Sequence, residues 1–406
     1  MTTRRSILKT MAAAGALSVW DAPIRFAFAS LASDRRFVVV ILRGALDGLA
    51  AVPPHGDADY ASVRGQLALD KTGASAIHDL DGFFGLHPSL SNMKAMFDAK
   101  ELAVFHNICS PYRERSHFEG QNVLETGGGQ PHVLQDGWLN RALVPMGMAD
   151  GERALAVAQT PPLLLSGSAK TTSWMPAVLP QPDEAFLAQL RSLYTRDAVL
   201  EASLKSAIDT SAKAQSAMDD SPANTMAGAK GNAAYGNLSP LFSGAGKLLA
   251  NDSGPRVAVL DAGGWDTHFG EGTADGQLGR RLRALDQGLD SLKTSLGPAW
   301  NKTAVVMATE FGRTVHPNGS GGTDHGTGGA AFLLGGGVAG GKVRAEWVGL
   351  KPEALQDGRD QPPRTDLRAL FKGLLAEHMG VPKSALEAQV FPDSASAAPL
   401  GGLIRA

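Results

Sequence analysis

The chain has 406 residues, 43% hydrophobic and 19% charged, with a formal net charge of -2, enough apolar material for one large domain or two. That balance supplies no basic surface to recruit nucleic acid, and the lone Cys109 excludes both an intrachain disulfide framework and a cysteine-built zinc cage. Any metal site must therefore draw on histidines and carboxylates.

The chain opens on an address. Arg4-Arg5 in "TRRSILK" precedes a mild Ala/Gly/Leu stretch over residues 11–19, and Ala27-Phe28-Ala29 offers an A-x-A cleavage site. This predicts a twin-arginine signal over residues 1–29 and export of the mature chain, residues 30–406, to the periplasm or beyond. The export machinery that reads such a signal is one expected partner. No later run reaches about eighteen uninterrupted apolar residues, so no transmembrane segment is expected.

Five short runs then lack polar alternation: residues 37–42 (FVVVIL), 102–108 (LAVFHNI), 257–260, 303–307 and 330–334. Such runs suit strands buried on both faces, as in a mostly parallel sheet. From about 182 to 240 the character changes. Phe186, Leu190, Leu193, Leu200, Leu204 and Ile208 predict one long helix, followed by an Ala/Gly/Ser/Asp-rich stretch, as a helical insertion or cap on the sheet domain or as a plain linker. Leu278, Leu282, Leu285, Leu289, Leu292 and Leu296 step by three and four along one helix face. Leu367, Leu370, Phe371, Leu374 and Leu375 repeat the pattern, with Gly380 as a stop. Strand and helix alternate, so the class is α/β, a mostly parallel central sheet flanked by helices.

Ligands of an open parallel sheet bind beyond the carboxyl ends of its strands. Four polar clusters fall there: Arg43 and Asp47 after the first run; Ser110, Ser116 and His117 after the second; Asp261, Asp266 and His268 after the third; and "TEFGRTVHPNGSGGTDHGTGG" after the fourth. Buried carboxylates and imidazoles cost several kcal/mol unless paired or bound to a cation, which gives the convergence a physical reason. Each cluster also has a structural reading. "SHFE" at 116–119 fits a capping box, so Ser116 is either a helix cap or a hydroxyl at a terminus that welcomes anions, with Arg113 and Arg115 beside it. Asp266 is either a turn residue or, with His268, half of a cation site.

Taken together, "RGALDGL", "DGFFGLHPSL", "RSHFEGQNVLETG", "GGWDTH", "TEFGRT", "NGSGGTDHG" and "DLRALFKGLL" resemble an exported bacterial family, domain of unknown function 1501, which looks like a branch of the alkaline phosphatase and sulfatase superfamily. The resemblance implies an alkaline phosphatase-like fold and a hydrolase of phosphate or sulfate esters, with an anionic small molecule or glycan as substrate. The alternative is a non-catalytic descendant that binds an anion, a glycan or a partner. It implies two divalent ions flanking Ser116 as nucleophile: Asp266, His268 and His325 around one, with Asp261 a rival ligand and Asp324 either ligating or orienting His325; Asp47 and Glu310 at the other. Phe311 stands where the superfamily has a histidine, which leaves that second site oxygen-only and favours magnesium, manganese or calcium over zinc. Arg43, Arg115 or Arg313 would clamp the developing charge.

Overall fold

All five unalternated runs are strands, and the reason is visible in how their side chains divide. In β1 (Arg36–Arg43), Val38, Val40 and Leu42 enter one hydrophobic core while Phe37, Val39 and Ile41 enter another on the opposite face. Both faces of the sheet are covered, so neither leaves room for polar residues. The computed structural model describes residues 34–150, 153–176, 184–218 and 236–405. The expected signal, residues 1–29, lies outside the described residues.

The other strands are β2 (His78–Asp79) and β3 (Gly85–Leu86), which form a small antiparallel ribbon, then β4 (Leu102–Cys109), β5 (Ala154–Val157), β6 (Thr172–Ser173), β7 (Val257–Gly263), β8 (Thr303–Ala308), β9 (Gly329–Leu334), β10 (Lys342–Ala345) and β11 (Thr365–Asp366). The main sheet runs β10-β4-β9-β8-β1-β7-β5-β6, with β11 beside β4. Every pairing is parallel except those of β9, which runs against β4 and β8. That reversal matters for the site: the residues that lead into β9 lie at the edge where its neighbours end.

The helix Gln277–Leu296 buries all six leucines of its predicted stripe against the sheet. It packs on the helix Ser239–Ala250, where a Cβ on Gly246 would stand 2.7 Å from the Cβ of Ser295. The opposite face is covered by the helices Trp138–Leu143 and Leu367–Glu377. The expected single helix of the insertion is two, Glu184–Tyr194 and Ala198–Met218. The break has a cause: the Asp197 carboxylate accepts the backbone N–H groups of Val199 and Leu200 at 3.0 and 3.1 Å, capping a new start. No helix among the described residues is long and apolar enough to cross a membrane.

Candidate metal centre

The carboxyl ends of β1, β4, β7 and β8 and the lead into β9 deliver the four polar clusters to one place. Gly44, with φ +117°, turns the chain after β1 so tightly that a Cβ there would lie 2.7 Å from the backbone nitrogen of Asp266. At the centre lies the Asp266 carboxylate. His268 Nε2 is 3.0 Å and His325 Nε2 3.2 Å from its Oδ1, and His117 Nε2 is 3.3 Å from its Oδ2. His268 Nε2 and His325 Nε2 are 2.9 Å apart.

The opposite ring nitrogens decide the chemistry. His117 Nδ1 donates to Glu310 at 2.8 Å, His325 Nδ1 to the carbonyl of Arg115 at 2.7 Å, and His268 Nδ1 to Asp324 at 3.1 Å. All three partners are acceptors, so each neutral ring keeps its proton on Nδ1 and turns a bare Nε2 lone pair inward. His117 Nε2 is buried with no hydrogen-bond partner. Three inward lone pairs repel one another; the Arg313 guanidinium 2.7 Å from Asp266 Oδ1 answers the carboxylate but not the nitrogens, which a proton or a divalent ion would satisfy. The donor set fits a divalent ion: His117, Asp266 and His325 present ligand atoms within 4.8 Å of one another, and His268 stands beside them. Imidazoles that ligate a metal usually donate their other ring N–H to an acceptor in this way. Three nitrogens and one oxygen suit zinc or a similar borderline ion better than magnesium or calcium.

His117 is the residue that sequence reasoning missed. In the sequence it stands beside Ser116 and occupies the same kind of place as His268, next to a polar residue beyond a strand end. Ser116 is the N-cap residue of the helix His117–Thr126, yet its side chain makes no cap hydrogen bond. The expected capping box does not form because Tyr112 intervenes: its hydroxyl accepts the Ser116 N–H at 3.2 Å and donates to Glu119.

Glu310 braces His117. Its Oε1 accepts from Gly44 N, His117 Nδ1 and Gln121 Nε2, and its Oε2 from Thr309, so its lone pairs are committed to holding His117. Asp47 is likewise spoken for. Its Oδ1 caps the helix Gly48–Ala51 through Leu49 N and Ala50 N, and its Oδ2 accepts from Arg64 at 2.6 Å, both partners almost fully buried. The cation that Asp47 holds is thus a guanidinium. Glu271 lies behind the same pair, its carboxyl pushed up to about 8 by burial and by the Asp47 charge. The two carboxylates expected at an oxygen-only second site are thus engaged by Arg64 and His117.

The arginines divide in the same way. Arg43 is tied to Glu125 at 2.7 Å and to Asp261 at 3.1 Å. The guanidinium of Arg115 is tied to Asp360 and Asp357, and its contribution to the centre is its carbonyl. Arg313 alone faces the cluster. Its buried guanidinium donates to Asp266 at 2.7 Å and is steadied by Thr323, and although burial opposes it, this contact keeps the Asp266 carboxyl below its ordinary range. Asp324 orients His268 rather than His325. Phe311, where a histidine was expected, forms a floor: its ring centre is 5.1 Å from those of both His117 and His325, stacked on the former.

The molecule is, first, an α/β protein with a mostly parallel sheet and a histidine-rich cluster at the carboxyl edge of that sheet. Residues 34–390 match the family described as protein of unknown function (DUF1501), and the chain belongs to that family. Among solved structures it is similar to the C-terminal periplasmic domain of EcEptC from Escherichia coli in complex with Zn, at 11% identity and TM-score 0.39 over 74% of this chain and 72% of that one. It is also similar to Ps i-CgsB in complex with k-i-k-neocarrahexaose, at 12% identity and TM-score 0.43 over 90% and 77%. The phosphonate monoester hydrolase of Agrobacterium radiobacter aligns at 11% identity and TM-score 0.33 over 86% and 74%. All three likenesses are distant. No curated protein matches the sequence.

Proposed function

We propose that this chain is an exported, metal-dependent hydrolase of a phosphate or sulfate ester, built on one divalent ion rather than two. The observation that carries the reading is the convergence of three Nε2 atoms on Asp266, each ring having its Nδ1 engaged by an acceptor. A divalent ion held there would polarise an anionic oxygen and stabilise the charge that develops on it. His117, Asp266 and His325 are the core ligands; His268, half-exposed at the rim, closes the fourth position or yields it to substrate. Arg313 acts through Asp266. Ser116, which immediately precedes His117 and does not cap its helix, is the attacking hydroxyl. Export through the twin-arginine route, with the ion loaded beforehand, suits the Arg4-Arg5 pair.

The second reading, a protein that binds an anion or glycan without turning it over, is favoured by one feature. Arg43 and Arg115, the expected clamps, are held by carboxylates. Turnover of aryl phosphates and aryl sulfates by metal-loaded protein separates the two. The hydrolase reading expects activity that Ser116→Gly and His117→Ala each abolish. Absence of turnover on every ester, with the ion bound, would establish the binding protein instead, and activity retained in Ser116→Gly would remove the serine from the mechanism.

A further inference from the structure

Glu271 is fully buried, yet the cation behind it is already answered, since Arg64 lies 2.6 Å from Asp47 and 3.7 Å from Glu271 Oε1. A buried carboxyl is costly unless its oxygens are occupied, so pairing with Arg64 does not account for it. Its Oε2 is occupied by two hydroxyls, of Thr267 at 2.8 Å and of Thr323 at 2.9 Å. Thr267 stands between Asp266 and His268 on the loop after β7, and Thr323 two residues before His325 on the loop into β9. One oxygen thus spans the two loops that carry three of the four groups of the centre. The backbone joins them at the same point, the Thr323 N–H donating to the Thr267 carbonyl at 3.1 Å.

The Thr323 hydroxyl passes this contact on. A hydroxyl has one proton to give and lone pairs to accept with, whereas a guanidinium only donates. Thr323 gives its proton to Glu271 and accepts Arg313 Nε at 3.1 Å, and Arg313 Nη1 in turn donates to Asp266 Oδ1 at 2.7 Å. Because Glu271 takes the proton, the lone pairs of Thr323 are left to face Arg313.

We infer that Glu271 is a positioning residue of the centre: through the Thr323 hydroxyl it sets Arg313 against Asp266, and through the Thr267 hydroxyl it holds the backbone between Asp266 and His268. The inference rests on the metal-dependent reading above.

The test is titration of metal-free protein with cobalt(II), whose visible absorption reports ligand geometry, in competition with a chelator of known affinity. Glu271→Ala and Thr323→Val should each weaken binding by roughly 10- to 100-fold and shift the absorption bands at saturation. The double variant should bind no more weakly than Glu271→Ala alone, because both changes break one relay. Glu271→Gln should restore wild-type affinity and bands, since its amide oxygen still accepts both hydroxyls and the carboxyl it replaces, pushed up to about 8, is uncharged at neutral pH. A buried acid with a structural role alone would lower the unfolding temperature without moving the bands. Wild-type affinity and bands in either Glu271→Ala or Thr323→Val, additive losses in the double variant, or a Gln variant as weak as the Ala variant would each overturn the relay and leave the metal-dependent reading standing. If Glu271→Ala does not fold, Thr323→Val beside Glu271→Gln decides: weakened binding in the first with wild-type binding in the second supports the relay, and any other pair of results overturns it. A wild type that binds no cobalt overturns the relay and the centre together.

Discussion

Asp266 and the three imidazoles around it are few atoms, but their hydrogen bonds rank the neighbours by role. A carboxylate that only braces an imidazole should tune affinity rather than decide it. Glu310→Gln should therefore weaken metal binding by roughly 10- to 100-fold, read by competition with a chelator of known affinity, because the amide still meets His117 but without charge. His117→Ala removes a ligand and should abolish tight binding. Ser116→Ala, by contrast, removes no cap hydrogen bond and fits φ -90°, so its unfolding free energy should stay within about 0.5 kcal/mol of wild type. A loss near 1 kcal/mol would restore the capping role that "SHFE" suggests. Phe311→Ala should cost about 3–5 kcal/mol, since it opens a cavity beneath the His117 and His325 rings where Phe311 now packs against Gly120.

At the scale of elements, the position of a residue after a strand was readable and the direction of its side chain was not. Asp266 and His268 stand out as candidate cation ligands because they lie just beyond a strand end, whereas His325, just before β9, stands out only through the family resemblance. His325 reaches the others because β9 is reversed, which brings its leading loop to the carboxyl edge. Asp47 also lies beyond a strand end, yet its carboxylate turns back onto the helix it begins and onto Arg64, a partner 17 residues on that no local pattern announces. His117 is hard to single out in the sequence because it opens a helix directly after Ser116, whose hydroxyl fits the same position. Asp47→Asn should leave metal content unchanged but lower stability by about 1–3 kcal/mol, because Arg64 then loses its 2.6 Å partner and keeps only the Glu271 carboxyl at 3.7 Å. Loss of the metal in a variant that stays folded would return Asp47 to the ligand list.

At the scale of the whole molecule, hydrophobic patterning was the strongest signal. The five buried runs and both leucine-rich stripes are present because a sheet covered on two faces tolerates little else. The short strands β5, β6, β10 and β11 were not predicted, having too few residues to show any period. Acid sensitivity is a property of the same packing. His87 and His378 are pushed down to about 4 by burial, against about 6.5 in an unfolded chain. Both are neutral in the fold, so below pH 6.5 the unfolded state takes up protons first. Stability should be full above that pH, fall as pH drops and level off below pH 4, by at most about 3 kcal/mol for each ring. Denaturant titrations between pH 7 and pH 4, run with chelator so that metal loss does not contribute, would show it, and replacing either histidine by glutamine should flatten the slope.

The central claim is one ion in a cage of His117, Asp266, His325 and His268. Elemental analysis of protein recovered after export from its native host, wild type beside His117→Ala, tests it most directly. One divalent ion per chain is expected in the wild type and none in the variant. No metal in the wild type, or equal content in the two proteins, would contradict the centre, and two ions per chain would contradict the commitment of Asp47 to Arg64 and of Glu310 to His117.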